Sequence, residues 1–279
     1  MSNIQLKLEK NVFSAGETLK GVALLEANKP LKTRGVYMSI KGKEKARIKR
    51  DEGYRRTVTD SDEKVLLDEQ ILLFSAPSIS DGFHECSFAY NLPKECPPSY
   101  NGRNAKVEYA IQAYMDMPMR IALKDRHIFR IVDLGPTEHQ PKPVSFESEP
   151  SQPIQISVTL QDNWVVRGRP IQGTVSYFNK SEQMVRCIRA KLSCKENTFV
   201  KGETEYVDIA GHEIRIPVAS RNASKFSAEF TFPVPANFPT SMSGHFFNVR
   251  AFLNIRLNIA WHKDVQCQQA VRIMPPIDH

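Results

Sequence analysis

The densest chemistry in this 279-residue chain is a run of cations. Between Lys41 and Arg56 lie eight basic residues, Lys41, Lys43, Lys45, Arg47, Lys49, Arg50, Arg55 and Arg56, against Glu44, Asp51 and Glu52. The first five alternate strictly. On a β-strand successive side chains point to opposite faces, so all five would share one side. Like charges crowded on one face repel, and a bound anion relieves that repulsion, while arginine forks add bidentate geometry for phosphate or carboxylate. The other reading of these residues is a solvated hairpin face, neutralised by the three interspersed acids and by Asp60, Asp62 and Glu63 downstream. One-sided spacing favours a binding face, suited to an anionic membrane surface or a phosphorylated tail.

The remaining reactive residues form no constellation. The seven histidines lack metal-ligand spacing such as H-E-x-x-H, and no C-x-x-C, nucleophile elbow or phosphate-binding loop occurs. The sequence therefore predicts a protein without catalytic residues, metal or cofactor. Pro97-Pro98-Ser99-Tyr100 spells the Pro-Pro-x-Tyr ligand of WW domains, which bind extended proline segments. A corresponding place later in the chain reads Pro239-Thr240-Ser241-Met242, so a structural turn shared by two copies competes with the ligand reading.

Those two copies are the framework that must position the cations. Shifted by 152 positions, Ile4 to Glu44 falls without a gap on Ile156 to Glu196, with eight of 41 residues identical, among them Gly16/Gly168, Gly21/Gly173, Arg34/Arg186 and Lys43-Glu44/Lys195-Glu196. Downstream, Phe88 to Pro93 matches Phe230 to Pro235, and Pro97, Ser99 and Gly102 match Pro239, Ser241 and Gly244. Tyr109, Ile111, Ala113 and Tyr114 then align with Phe247, Val249, Ala251 and Phe252, which implies a four-residue change of spacing after the glycine. A period this long means a duplicated domain, not a solenoid of units of roughly 20–50 residues.

Nearly every segment reads at period two, as in Val36, Met38 and Ile40 or Val249, Ala251, Leu253, Ile255, Leu257 and Ile259. Turn signals recur at Ser14-Ala15-Gly16, Asp81-Gly82, Asn101-Gly102 and Ala210-Gly211. Glu63 to Phe74 admits a short helix, but strand is preferred because a lone helix would have no partner. Many short, half-buried strands predict an all-β protein of two tandem immunoglobulin-like β-sandwich lobes. The predicted lobes are residues 1–134 and 154–279. Residues 135–153, with five prolines, read as a Pro-rich linker in which Val144 and Phe146 pack against one lobe.

Charge and cysteine content narrow the class. The net charge of +7 is spread over both lobes, with 22 basic against 18 acidic residues in 1–134 and 15 against 10 in 154–279, so no nucleic-acid partner is expected. The local +5 of Lys41 to Arg56 exceeds the surplus of its whole lobe. Five cysteines, with Cys187 and Cys194 on opposite faces of one strand, suggest reduced, buried thiols of a cytoplasmic protein. Met1 to Ile4 opens directly on strand alternation, with no apolar signal region.

Val12-Phe13-Ser14-Ala15-Gly16-Glu17-Thr18-Leu19-Lys20-Gly21-Val22 resembles the opening of arrestin domains, and Pro30 to Val36 with Ile40 to Glu44 resembles the family's next element. Gly82 to Pro93, followed by Pro97 to Gly102 and Val107 to Tyr109, looks like the close of an N-terminal arrestin lobe; the second copy resembles the C-terminal lobe. The likeness runs through nearly the whole chain and is nearest the α-arrestin and retromer-subunit branches. It implies the arrestin fold and a non-enzymatic adaptor or scaffold in protein transport, endocytosis or signalling. The implied partners are membrane-protein tails, ubiquitin-ligase or sorting-complex subunits, with the protein cytoplasmic or peripheral on membranes. A structural subunit of a retromer-like sorting complex, or a microbial stress or sporulation regulator, are the alternatives. Ile154 to Leu160 carries no arginine, so the phosphate-sensing polar core of visual and β-type arrestins is not implied. The sequence reaches His279 without the tail in which α-arrestins carry Pro-Pro-x-Tyr motifs.

Overall fold

A computed structural model describes residues 2–276 apart from 52, 54–56, 120, 134, 136–138, 182 and 219. Among these residues the chain is built from β-strands and turns, without a helix, so none is long and apolar enough to cross a membrane. Two compact units result. The first comprises residues 1–133 with two short segments, Thr198–Thr204 and Ser243–Phe247; the second comprises the rest.

The first unit pairs a three-stranded sheet with a larger one. In the smaller, Thr18–Ala27 lies between Asn3–Leu8 and Gly82–Asn91. The larger runs in the order Val12–Ser14, Leu123–Val132, Ala105–Asp116, Gly35–Asp51 and Thr57–Phe74, with Tyr100–Asn101 added against Ala105–Asp116. Leu6, Leu19, Met38, Ile40, Ile111 and Phe129 face inward, all nearly inaccessible. Alternation places them there, because each strand offers one apolar face to the opposite sheet. Phe13 and Tyr109 meet the Phe129 ring at centroid distances of 5.8 Å each.

The second unit repeats the plan. Ile154–Leu160 and Ile171–Asn179 form the centre of a four-stranded sheet whose edges are Val144–Glu147 and Lys225–Phe232. The opposing sheet runs Trp164–Val166, Val265–Met274, Phe247–Ile259, Val185–Val200, Glu203–Ile216. Val144–Glu147 comes from inside the proline-rich stretch 135–153, and Phe146 is buried against the lobe it joins. Glu63 to Phe74 is strand, the outer arm of the long hairpin Gly35–Asp51/Thr57–Phe74.

The duplication extends to individual hydrogen bonds. Ser99 donates its N–H to the Ile131 carbonyl (2.7 Å) while its hydroxyl accepts the Ile131 N–H (2.9 Å); Ser241 and Ile273 do the same at 2.8 and 3.0 Å. Gly102 donates to Ala105 and Gly244 to Phe247, both at 2.9 Å. This equivalence corrects the four-residue spacing change read from the sequence, because the second half repeats at a constant shift of 142 from Phe88 to the last strand. Tyr109 therefore corresponds to Ala251, not to Phe247. The aromatic was misleading because Tyr109 has a local reason: its ring occupies space that a Cβ on Gly42 would enter at 2.5 Å, whereas the second copy has Cys194 and Ala251 at these places.

The Pro97–Tyr100 run is tied into this framework. The Tyr109 hydroxyl donates to the Pro97 carbonyl at 2.8 Å, and the Tyr100 ring stacks on Phe247 at 4.6 Å. All five cysteines are free thiols, four of them buried. Burial pushes the Cys194 and Cys267 thiols up to about 12, which leaves them protonated and unreactive at neutral pH.

Candidate functional site

The cation run forms one face of the strand Gly35–Asp51. Lys41, Lys43, Lys45, Arg47 and Lys49 are exposed, while Gly42, Glu44, Ala46 and Ile48 between them are buried. A register shift between Gly42 and Lys43 changes the partner on Thr57–Phe74 without disturbing this alternation. Arg50 leaves the row at the hairpin end, where its guanidinium binds the Asp60 carboxylate, and Arg55 and Arg56 lie outside the described residues.

Neighbouring strands supply the counter-charges and further cations. Glu63 accepts from both Lys43 and Lys45 at 2.6 Å, and Asp68 pairs with Lys41 at 3.3 Å. On the other flank Glu108 pairs with Lys106 at 2.5 Å and Arg126 at 3.3 Å. Hydrogen bonds from Lys43 and then Lys45 hold the Glu63 carboxyl down at about 2, and Glu63 in turn raises the Lys43 ammonium above its usual value. Arg50 likewise lowers Asp60. Glu63 and Glu108 are each shared by two cations, so the paired groups hold side chains in place and still leave positive charge in excess.

Glu44 is not one of the neutralising groups, contrary to the reading of the run as a self-compensated hairpin. It points to the opposite face and is fully buried, where its carboxylate accepts the backbone N–H groups of His245 (2.8 Å) and Phe246 (2.6 Å) within the first unit. Its equivalent, Glu196, is also fully buried. Both belonged to a repeated Lys-Glu pair, and repetition of a charged residue was the available sign of an inward role.

The sheet face is a groove of about 620 Å³ in which Lys41, Lys43 and Lys45 are joined by Lys106 and Arg126. The last two escape a reading of local sequence, since only strand pairing sets Lys45 opposite Lys106 and Gln112 opposite Arg126. Tyr114, stacked on Tyr37 at 5.4 Å, closes one end. The corresponding face of the second unit, with Arg189, Lys191, Lys195 and Arg256, is smaller at about 280 Å³ and also contains Asp208 and Glu213.

Two consecutive all-β sandwiches repeating glycines, turns and buried acids define a duplicated two-lobe β-sandwich protein. Residues 2–135 match the family model described as arrestin (or S-antigen), N-terminal domain, and residues 150–277 match arrestin (or S-antigen), C-terminal domain. The chain belongs to the arrestin superfamily. It is similar to arrestin domain-containing protein 4 of Mus musculus, with 24% identity over 220 residues that cover 71% of this chain and 53% of the relative. Arrestin domain-containing protein B of Dictyostelium discoideum is 24% identical over 197 residues, 66% of this chain and 31% of the relative. Arrestin domain-containing protein 17 of Caenorhabditis elegans is 21% identical over 145 residues, 48% and 34%. The chain thus spans about half or less of the length of each of these relatives.

Proposed function

We propose that this chain is a non-enzymatic, cytoplasmic adaptor in protein trafficking or signalling, and that its first lobe binds acidic or phosphorylated tails of membrane-protein partners. The observation that carries the reading is the exposure of Lys41, Lys43, Lys45, Arg47 and Lys49 along one strand face, extended across the sheet by Lys106 and Arg126. Family membership supports the adaptor class; the tail-binding site rests on the cations. A second ligand, an anionic membrane surface, draws on the same charges and on Met119 and Ile121, which stand fully or almost fully exposed after the strand Ala105–Asp116.

The test measures binding of a labelled phosphoserine-rich peptide, and separately of vesicles containing phosphoinositide, over a salt series. Attraction of this kind is worth about 1 kcal/mol per basic residue at an anionic surface and is screened beyond roughly 10 Å at 0.1 M salt. Peptide binding should fall steeply with salt and disappear in Lys43→Glu/Lys45→Glu/Arg47→Glu, while Lys191→Glu/Lys195→Glu retains it. Equal losses from the two lobes would show that only overall charge is read. Vesicle binding without peptide binding would favour the membrane, and affinity purification then separates ligase, receptor and sorting-complex partners.

A further inference from the structure

The groove is not uniformly basic. Along the strand Gly35–Asp51 the outward side of the sheet runs from half-buried Tyr37, just past the groove lining, through half-buried Ser39 to exposed Lys41, Lys43 and Lys45. Each position is widened sideways by the strands paired with it. Tyr37 lies opposite Leu72 on one side and Tyr114 on the other, and the two tyrosine rings stack with 19° between their planes. Leu72 is 51% exposed, a large apolar side chain left in water beside that stack. Ser39 lies opposite Gln70 and Gln112, a band of neutral hydrogen-bonding groups. Along the strand Gly35–Asp51 the cations begin only beyond this band, while on the far side of Ala105–Asp116 Lys124 lies opposite Tyr114 and Arg126 opposite Gln112.

We propose that this sheet face, the groove together with the Leu72–Tyr37 edge next to it, selects a short extended peptide carrying an apolar or aromatic side chain at one end and acidic or phosphorylated groups at the other. The inference rests on the adaptor reading above and gives its ligand an order. Tyr37 and Lys43 are separated by six positions, which at about 3.3 Å per residue puts the apolar end and the centre of the cationic end roughly 20 Å apart. An extended peptide spans that distance with some six residues, and its backbone would lie over the amide and hydroxyl groups of Gln70, Ser39 and Gln112. Those groups serve as donors and acceptors for peptide N–H and C=O without demanding a particular side chain.

Charge complementarity decides between a peptide and other anions. Glu63, Asp68 and Glu108 lie on the same face as the lysines and repel a continuous polyphosphate. A ligand with two or three acidic groups at one end meets the surplus cations and leaves the internal ion pairs standing. Leu72 and Tyr37 lie within the sheet face, in line with the lysines, whereas Met119 and Ile121, the exposed apolar pair suited to a bilayer, lie on the connection after Ala105–Asp116. The apolar end therefore points to a peptide with separated apolar and acidic parts.

The proposal is tested by fluorescence anisotropy on the full chain with labelled nine-residue peptides at physiological salt. One peptide carries a Trp and two phosphoserines six residues apart, synthesised in both orders. A second replaces Trp by Ser, and a third shortens the spacing to two. The spaced, anchored peptide should bind at least about tenfold more tightly than either of the others in one of its two orders. Leu72→Ser and Tyr114→Ala should each remove that advantage without changing the affinity of the anchorless peptide, with thermal melting used to confirm the fold. Leu72 is exposed, so its substitution keeps the test valid if the tyrosine change unfolds the lobe. Equal affinity of all three peptides, lost together in Lys43→Glu/Lys45→Glu, would overturn the ordered groove and leave the basic-face reading standing. Binding of phosphoinositide vesicles but of no peptide would overturn the peptide ligand, and absence of all binding would overturn both readings.

Discussion

Gly21→Ala and Gly173→Ala test whether the duplication is written in backbone packing. Gly21 is in the central strand of its sheet, opposite Leu8 on one side and Phe88 on the other; Gly173 is opposite Leu160 and Phe230. A Cβ on Gly21 would stand 2.4 Å from the Lys7 carbonyl oxygen and 2.6 Å from the Phe88 ring, and one on Gly173 would stand 2.6 Å from the Thr159 oxygen. Carbon–oxygen contacts between strands run at about 3.3 Å or more, so the neighbouring strand would have to retreat by roughly 0.9 and 0.7 Å. The obstructing atom is a backbone oxygen in a hydrogen-bonded ladder and cannot rotate aside as a side-chain end would. Overpacking of a tight site costs about 1–3 kcal/mol, and the immovable contact puts Gly21→Ala near 3 and Gly173→Ala near 2. At about 4 °C per kcal/mol for a lobe of this size, the expected drops in melting temperature are roughly 12 and 8 °C. Calorimetry on the full chain reads both. Gly211→Ala is the control, since its nearest neighbours would be 3.8 Å away, and it should be stabilising by about 0.5 kcal/mol. A Gly21→Ala protein melting within about 2 °C of the parent would refute the steric account of the repeated glycine.

Glu44→Ala should lower stability in urea by about 2–6 kcal/mol, because it strips the acceptor from two backbone N–H groups, each left at a cost of about 1–3. Glu44→Gln keeps one acceptor oxygen and should cost about half as much; equal losses would mean the carboxylate oxygens are not what those N–H groups need. Glu63 titrates near 2 in the folded chain against 4.5 for an ordinary glutamate, so its ion pairs stabilise the fold fully above pH 4.5 and lose that contribution as pH falls towards 2. Carbon-13 NMR of the Glu63 carboxyl should follow that low midpoint, and Lys43→Ala/Lys45→Ala should return it towards 4.5.

The all-β class, the duplication and the one-sided row of lysines were legible because each depends on a local period. Alternation of polar and apolar residues follows from the pleat of a single strand, and Gly21 and Gly173 repeat because each copy needs the same absence of a Cβ. The cation row from Lys41 to Lys49 needed only that its segment be a strand. The errors arose where a residue type was read without its neighbour. Glu44 counted as a charge among lysines until strand geometry turned it inward, and Tyr109 was aligned by its aromatic ring although Gly42 across the sheet is what admits that ring.

What only the tertiary structure decided is the composition of the site. Strand order brings Ala105–Asp116 beside the lysine row and Leu123–Val132 next beyond it, so Lys106, Glu108 and Arg126 share a groove with lysines more than sixty positions away. It also sets Leu72 and Tyr114 on either side of Tyr37, which places an apolar and aromatic cluster on the sheet face next to the row of lysines. No local pattern carries that information, since strand alternation specifies a face for each side chain but not which strand becomes its neighbour.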